Sequence, residues 1–234
     1  MKIIDSLKNT LIVSCQALDG EPLCSPIIMG KIAKSAEMGG ASAIRANGYD
    51  DIREIKKEVT IPVIGLIKIV YKGYEPYITP TMLEVDRVVD AGADIIAIDA
   101  TKRLKPDGIT TEKFFEDIKR KYPHIPVMAD ISTYEEGIKA GELGFNIIST
   151  TLSGYTSYSL KSAEPDFDLI GQLSAKTKAP VVAEGRIRSA EHIARALRMG
   201  AYAIVVGGAI TRPHEITRHY IEAINNEICK MAIS

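Results

Sequence analysis

Short apolar runs recur along the chain and alternate with longer stretches in which apolar side chains return every three to four residues. Runs of four or five apolar residues without polar alternation fit strands buried on both faces, and the longer stretches fit crossover helices; together they predict a parallel sheet covered by helices. The predicted strands are Leu11 to Cys15, Ser42 to Arg45, Val63 to Ile67, Ile95 to Ile98, Val127 to Asp130, Ile147 to Thr150, Val181 to Ala183 and Ala203 to Val206, each followed by a helical segment. Gly ends the helices in Met38-Gly39-Gly40-Ala41, Ala91-Gly92-Ala93-Asp94, Leu143-Gly144-Phe145-Asn146 and Met199-Gly200-Ala201-Tyr202. Pro62, Pro126 and Pro180 precede three of the strands, where Pro cannot prolong a helix. Eight such units in 234 residues favour an α/β fold closed into a (β/α)8 barrel of eight parallel strands, the TIM-barrel architecture, as one domain over residues 1–234.

A barrel of this kind collects its chemistry at the C-terminal ends of its strands. Those positions carry Gln16, Arg45-Ala46-Asn47, Lys68, Asp99-Ala100-Thr101, Asp130, Thr150-Thr151, Glu184-Gly185-Arg186 and Gly207-Gly208. Two of the loops that follow, Lys68 to Thr79 and Leu152 to Pro165, are long and rich in Tyr, Gly and Ser, as expected of lids over a pocket.

Composition narrows the classes of function. The chain is 46% hydrophobic and 25% charged with a formal net charge of −1, and no basic run marks a nucleic-acid or membrane surface. An anionic ligand must therefore be held by local groups. Cys15, Cys24 and Cys229 show no CxxC spacing and are odd in number, which fits reduced thiols and a cytoplasmic protein. Neither a signal segment nor an apolar run of roughly 20 residues is expected. No His, Asp and Cys grouping has metal-ligand spacing, so neither a metal nor another cofactor is expected.

The loops after the seventh and eighth strands suit a phosphate. Glu184-Gly185-Arg186-Ile187 offers a Gly amide and a guanidinium, and Gly207-Gly208-Ala209-Ile210-Thr211-Arg212-Pro213 offers two Gly amides and a second Arg. The plain alternative is tight turns flanked by solvated arginines. Lys68 follows the apolar run Val63-Ile64-Gly65-Leu66-Ile67, and a Lys held among apolar groups can supply a neutral amine as base or Schiff-base nucleophile. Its alternative is a surface Lys at a loop start. Glu184 is the matching acid or base, or else a structural partner of Lys68 or Arg186. Gln16, Arg45 and Asp130 complete a polar ring able to hold sugar hydroxyls and an amide, or an ion-pair network that shapes the barrel mouth. Of the histidines, His124, His192 and His219 read as surface residues, and His214 as part of a helix start near the phosphate loops.

Nine stretches, in order, are similar to those of the N-acetylmannosamine-6-phosphate 2-epimerase family: Val13-Ser14-Cys15-Gln16-Ala17, Ala43-Ile44-Arg45-Ala46-Asn47, Gly65-Leu66-Ile67-Lys68, Tyr77-Ile78-Thr79-Pro80-Thr81, Ile98-Asp99-Ala100-Thr101, Met128-Ala129-Asp130-Ile131-Ser132, Thr150-Thr151-Leu152-Ser153-Gly154-Tyr155-Thr156, Ala183-Glu184-Gly185-Arg186-Ile187 and Ala209-Ile210-Thr211-Arg212-Pro213. The resemblance implies interconversion of N-acetylmannosamine 6-phosphate and N-acetylglucosamine 6-phosphate in sialic acid breakdown, without nucleotide or metal. It implies Lys68 and Glu184 as the catalytic pair. It places Gln16, Arg45 and Asp130 around the sugar and Gly185, Arg186, Gly208 and Arg212 near the phosphate, and Tyr155, Thr156 and Gly207 are expected to bind substrate as well. Two positions depart from the family pattern: Gly208, where Ser is expected, and Asn146, where Asp is common.

Two other readings stay open on the residues alone, a Schiff-base aldolase using Lys68 and a sugar-phosphate sensor that binds without turnover. A homo-oligomer, with a dimer favoured, is expected, and the C-terminal helix Ile216 to Met231 is a candidate contact. The expected partner is a small sugar phosphate, with neither nucleic acid nor membrane.

Overall fold

A computed structural model describes residues 2–231. In chain order its elements are α1 (Lys2–Asp5), β1 (Leu11–Cys15), α2 (Pro26–Met38), β2 (Ala43–Asn47), α3 (Tyr49–Glu58), β3 (Val63–Leu66), α4 (Met82–Asp90), β4 (Ile95–Asp99), α5 (Thr111–Lys121), β5 (Val127–Asp130), α6 (Tyr134–Leu143), β6 (Ile147–Ser149), α7 (Phe167–Lys176), β7 (Val181–Ala183), α8 (Ala190–Arg198), β8 (Ala203–Val206), α9 (Gly208–Thr211) and α10 (Pro213–Met231), with 3-10 turns at Pro106–Gly108 and Thr150–Leu152. The eight strands close into one parallel barrel in sequence order, β8 pairing with β1. Strand ends move by a residue or two from the expected positions. β6 stops at Ser149 because the chain coils at once into a 3-10 turn, and β2 runs on to Asn47, whose Oδ1 accepts from the Lys68 amide at 2.7 Å.

Alternation along each strand sorts the core into two layers. Ile12, Ala43, Ile64, Leu66, Ile95, Ala97, Met128, Ile147, Val182, Ala203 and Val205 fill the barrel interior. Their neighbours Val13, Ile44, Ile96, Ile98, Ala129 and Ile148 pack outward against Ile52, Ile55, Val85, Val88, Phe114 and Leu173 of the helices. Successive strand side chains point to opposite faces, so one further step of two residues carries each strand's inward face to the barrel mouth. There the inward positions are Ser14, Arg45, Lys68, Asp99, Asp130, Ser149, Glu184 and Gly207. The same period that makes the core apolar thus delivers a ring of polar groups above it.

Local chemistry sets the helix ends. Thr81 with Glu84, and Thr133 with Glu136, form capping boxes at the starts of α4 and α6, each cap stabilising by about 1 kcal/mol. Gly144 ends α6 in the left-handed region at φ 88°, a conformation that a Cβ disfavours. At the barrel floor, Ile4 and Leu7 of the N-terminal segment join the interior cluster. Among the described residues no helix is long and apolar enough to cross a membrane.

Candidate active site

A cavity of about 380 Å³ opens at the C-terminal ends of the strands, and its wall includes Gln16, Arg45, Lys68, Tyr155, Glu184, Gly185, Arg186, Gly207, Gly208 and Arg212. Ten sequence-predicted site residues are thereby brought to one wall, and two are not. Asp130 lies wholly buried behind Arg45, whose guanidinium forks onto its carboxylate. Thr156 is also buried, with its hydroxyl 3.2 Å from Ser132 Oγ and its amide donating to Ser159 Oγ at 3.3 Å, so it shapes the loop beneath Tyr155. Ser14 and Tyr77 stand in the wall without a predicted role, and so does Thr151, which reads as a strand-end residue with no expected part in the site. Their signal was the inward step of the strand pattern for Ser14 and the strand-end position for Thr151; Tyr77 arrives from a loop that folds back. A larger groove of about 730 Å³ lies between α5 and α6, where Glu136 accepts from Tyr158 at 2.6 Å and from the Lys102 amide at 2.9 Å.

Arg45 is the structural centre of the mouth. It is 1% exposed and forms a two-pronged pair with Asp130, Nη1 to Oδ1 at 3.1 Å and Nη2 to Oδ2 at 2.5 Å. A fork against a carboxylate is the strongest geometry open to a buried guanidinium. Its Nε lies 3.4 Å from Glu184 Oε1 but lacks hydrogen-bond alignment, leaving that N–H without an accepting partner among the described residues. Burial works against the Arg45 charge, but Asp130 and Glu184 outweigh it and hold the guanidinium protonated. Burial, reinforced by Glu184 and opposed by Arg45, pushes Asp130 up to about 6.

Lys68 sits where β3 gives way to the long loop, in an isolated antiparallel bridge to Ile78. Ile69 donates its amide to Tyr77 O at 2.9 Å and Thr79 to Ile67 O at 2.7 Å, so the loop folds back as a short hairpin and brings Tyr77 to the cavity. Among the described residues, the Lys68 ammonium makes neither a hydrogen bond nor an ion pair. Burial, with the nearby Arg45 charge adding to it and Glu184 opposing it, brings the amine down to about 8. Burial likewise raises Tyr77 to about 12, keeping its hydroxyl a neutral donor.

Gly185 at φ 107° and Arg186 at φ 58° turn the chain sharply after β7. The non-Gly residue tolerates this because its guanidinium is tied down, Nε to Glu164 O at 2.8 Å and Nη1 to Ser153 O at 2.8 Å. Arg186 therefore fastens the loop after β6 over the cavity. Arg212, after α9, is held between Glu21 Oε1 at 2.9 Å and Glu215 Oε1 at 2.8 Å. Gly208 faces the same carboxylate, and a Cβ there would clash with Glu215 Oε2; a side chain at this position requires Glu215 to move. At the other departure, Asn146 Oδ1 accepts from the Val127 amide at 2.9 Å, as Asp94 Oδ2 does from the Val63 amide at 2.8 Å. An amide oxygen does that work as well as a carboxylate.

The remaining histidines stay outside the cavity. His214 and His219 are exposed on α10. His192, expected at the surface, is half-buried, edge-on to Phe167 at 5.9 Å and 3.0 Å from Glu164 Oε2, because α8 leans that face onto the start of α7. Cys15 is buried on the outer face of β1, and burial pushes its thiol up to about 12. Among the described residues no group of three or more His, Cys, Asp and Glu side chains is placed to hold a metal ion.

Comparison with known proteins places this geometry. Residues 29–226 match the family model described as "Putative N-acetylmannosamine-6-phosphate epimerase". A protein of Caldanaerobacter subterraneus subsp. tengcongensis named "Putative N-acetylmannosamine-6-phosphate 2-epimerase" is 66% identical over 224 residues, 96% of this chain and 94% of that one. A Clostridium perfringens (strain SM101) protein of the same name is 51% identical over 222 residues, 95% of this chain and 100% of that one. The solved structure of the N-acetylmannosamine-6-phosphate 2-epimerase from Clostridium perfringens superposes with a TM-score of 0.91 at 50% identity, covering 94% of this chain and 96% of that one.

Proposed function

The chain belongs to the N-acetylmannosamine-6-phosphate epimerase family, and from that premise we propose that Lys68 and Glu184 carry the proton transfers of its reaction. The chain is an epimerase that acts on a carbohydrate phosphate, interconverting N-acetylmannosamine 6-phosphate and N-acetylglucosamine 6-phosphate in amino sugar breakdown. In the open-chain sugar, C2 lies beside an aldehyde. Removing its hydrogen gives an enolate, which needs a base at carbon and a cationic or hydrogen-bonding partner at oxygen.

The observation that carries the assignment is the state of Lys68: an amine in the cavity wall, without a partner among the described residues and brought down to about 8. Near neutral pH a useful fraction is uncharged, as a base requires. Arg45 supplies a fixed positive charge for the enolate oxygen, and Asp130 holds it in place from beneath. Glu184, 13% exposed, serves ring opening and the hydroxyls. Gln16, whose Oε1 is buried without a donor among the described residues while its Nε2 donates to Ser14 Oγ at 2.9 Å, suits the N–H of the acetamido group. Gly185, Arg186, Gly207, Gly208 and Arg212 take the phosphate, which competes with Glu21 and Glu215 for Arg212. Binding the distant phosphate holds C2 against Lys68. The test is a proton NMR time course with N-acetylmannosamine 6-phosphate in deuterium oxide. Product carrying deuterium at C2 is expected, and a borohydride-trappable adduct on Lys68 would favour aldolase chemistry instead.

We also propose that the protein works as a dimer. Helix α10 has no buried residue, and Tyr220, Ile221, Ile224 and Ile228 are more than half exposed along it. An apolar groove lined by Leu11, Val13, Ile28, Ile32 and Ile210 runs beside α2, where the helix after β8 of a barrel would ordinarily lie. A second copy offers an apolar helix to an apolar groove, a match that favours association. Sedimentation as a monomer at micromolar concentration would contradict this.

A further inference from the structure

One hydroxyl at the cavity floor has more carboxylate neighbours than it has protons. Thr151 Oγ1 lies 2.8 Å from Asp130 Oδ1 and 3.0 Å from Glu184 Oε2, with Ser149 Oγ at 2.8 Å. Ser149 Oγ is itself 3.3 Å from Glu184 Oε2. A threonine hydroxyl carries one proton and an ionised carboxylate carries none. If Thr151 donates to Asp130, its contact with Glu184 has no proton in it; if it donates to Glu184, the contact with Asp130 has none. The Ser149 proton resides on Ser149 and cannot fill the gap. Two bare oxygens at hydrogen-bond distance repel, so both contacts are favourable only when one of the two carboxyls is protonated.

We propose that Thr151 is a positioning residue that joins Asp130 and Glu184 into a carboxyl pair holding one shared proton, and that it relays this proton between them. The proposal rests on the assignment of Glu184 to the sugar. Glu184 reaches the cavity and Asp130 does not, so Asp130 acts as the reservoir and Glu184 as the group that meets the hydroxyls. In the relay, the Glu184 Oε2–H bond breaks as a new bond forms to Thr151 Oγ1, while the Thr151 proton passes to Asp130 Oδ1. The hydroxyl emerges unchanged and the negative charge moves from Asp130 to Glu184. The forward step leaves Glu184 as a carboxylate able to act as base, and the reverse step reloads it as an acid, the one proton staying within the pair.

The surroundings favour one proton over none. Buried like charges that share a site do not both ionise readily. Asp130 faces Arg45 from β2, Glu184 from beyond β7, Lys68 from beyond β3, and Tyr77 from the folded-back loop, and Asp99 stands opposite it in the β4–β5 register. Among the described residues Arg45 is the one cation in ion-pair contact with either carboxyl, and its fork is committed to Asp130; Asp99 is matched separately by Arg103 and Lys105.

The test uses the full chain without substrate. Infrared spectra of protein carrying 13C-labelled Asp and Glu carboxyls are expected to show a buried neutral-carboxyl stretch that persists up to about pH 6, above the ordinary carboxylate range. Thr151→Val is expected to lose or shift that band, lower kcat by about tenfold to a hundredfold, and alter the acidic limb of the kcat profile with little change in KM; Thr151→Ser is expected to restore both readouts to within a few-fold. A parent spectrum lacking the band overturns the proposal even if Thr151→Val fails to fold, as does a Thr151→Ser variant as impaired as Thr151→Val. Because the band is read without substrate, its absence in a protein that still turns over would sink the shared proton and leave the roles of Lys68 and Glu184 standing.

Discussion

Two lysines follow neighbouring strands of this barrel, and burial disfavours the charged form of both, yet their surroundings differ in kind. Lys68, after β3, lines the cavity with its ammonium unpaired among the described residues. Lys105, after β4, is 1% exposed and closed in, its Nζ 3.1 Å from Thr111 Oγ1 and 3.5 Å from Asp99 Oδ1. Arg103 completes that second cluster, Nη2 to Asp99 Oδ2 at 2.7 Å and Nε to Thr101 Oγ1 at 3.0 Å. A lowered pKa is therefore not in itself a mark of chemistry. What separates the two lysines is whether the charge has been given a partner. Lys105 is satisfied and serves the fold, whereas Lys68 is left unsatisfied at a place a substrate can reach.

The sharpest way to break this contrast is to truncate each lysine to the same apolar side chain. Lys68→Met is expected to lower turnover by about a thousandfold, within the range for losing a general base, measured by the NMR time course. It should not lower the melting temperature. Lys68 has a folded pKa of about 8, below the ordinary value of a lysine, so the unfolded chain binds more protons between those values and stability rises with pH across that window. Below it, the protonated side chain is held at a cost that methionine removes. A Lys68→Met variant that is markedly less stable would place Lys68 in the structural class.

Glu184→Gln is expected to cost about a hundredfold in turnover, less than Lys68→Met, because the base at C2 remains. Equal loss in both variants would mean that the two groups act as one unit. The reciprocal of the first experiment, Lys105→Met, is expected to destabilise by about 3 kcal/mol, the lower end for breaking a buried charge pair, with kcat within about threefold of the parent. Chemical denaturation and the kinetic assay read the two effects separately. The smallest effect belongs to Asn146→Asp, which keeps the oxygen that accepts from Val127 and should change stability by no more than about 0.5 kcal/mol. A larger loss would mean that the Asn146 amide group has a partner of its own.

Much of this was legible along the chain. Strand runs bounded by Gly and Pro marked the eight strands to within a residue or two, since sterics and the missing Pro donor act locally. Positions at strand ends then marked Arg45, Lys68, Asp130 and Glu184 as mouth residues, since a barrel of this kind collects its chemistry there. Depth was not legible. Whether Asp130 touches the cavity or lies beneath Arg45 depends on the Arg45 side chain reaching across from β2 to β5, a contact between distant segments. Lys105 reads as a loop lysine in Arg103-Leu104-Lys105-Pro106, and only the folded chain shows it closed over Asp99. Arg212 reads as a free phosphate ligand until Glu21, from the segment after β1, is found beside it. The position of Thr151 between two carboxylates needs β5, β6 and β7 in place together, and no local spacing encodes it.

The central claim, that an unpaired and partly neutral Lys68 takes the C2 proton, is tested most directly by the pH dependence of C2 exchange in parent and Lys68→Met protein. The neutral amine grows as pH rises through its pKa. The parent's kcat/KM for exchange should therefore climb to a plateau with an apparent pKa near 8, and the residual exchange of Lys68→Met should lack that limb. A parent profile that is flat across neutral and mildly alkaline pH, or a limb that survives in Lys68→Met, would contradict the account.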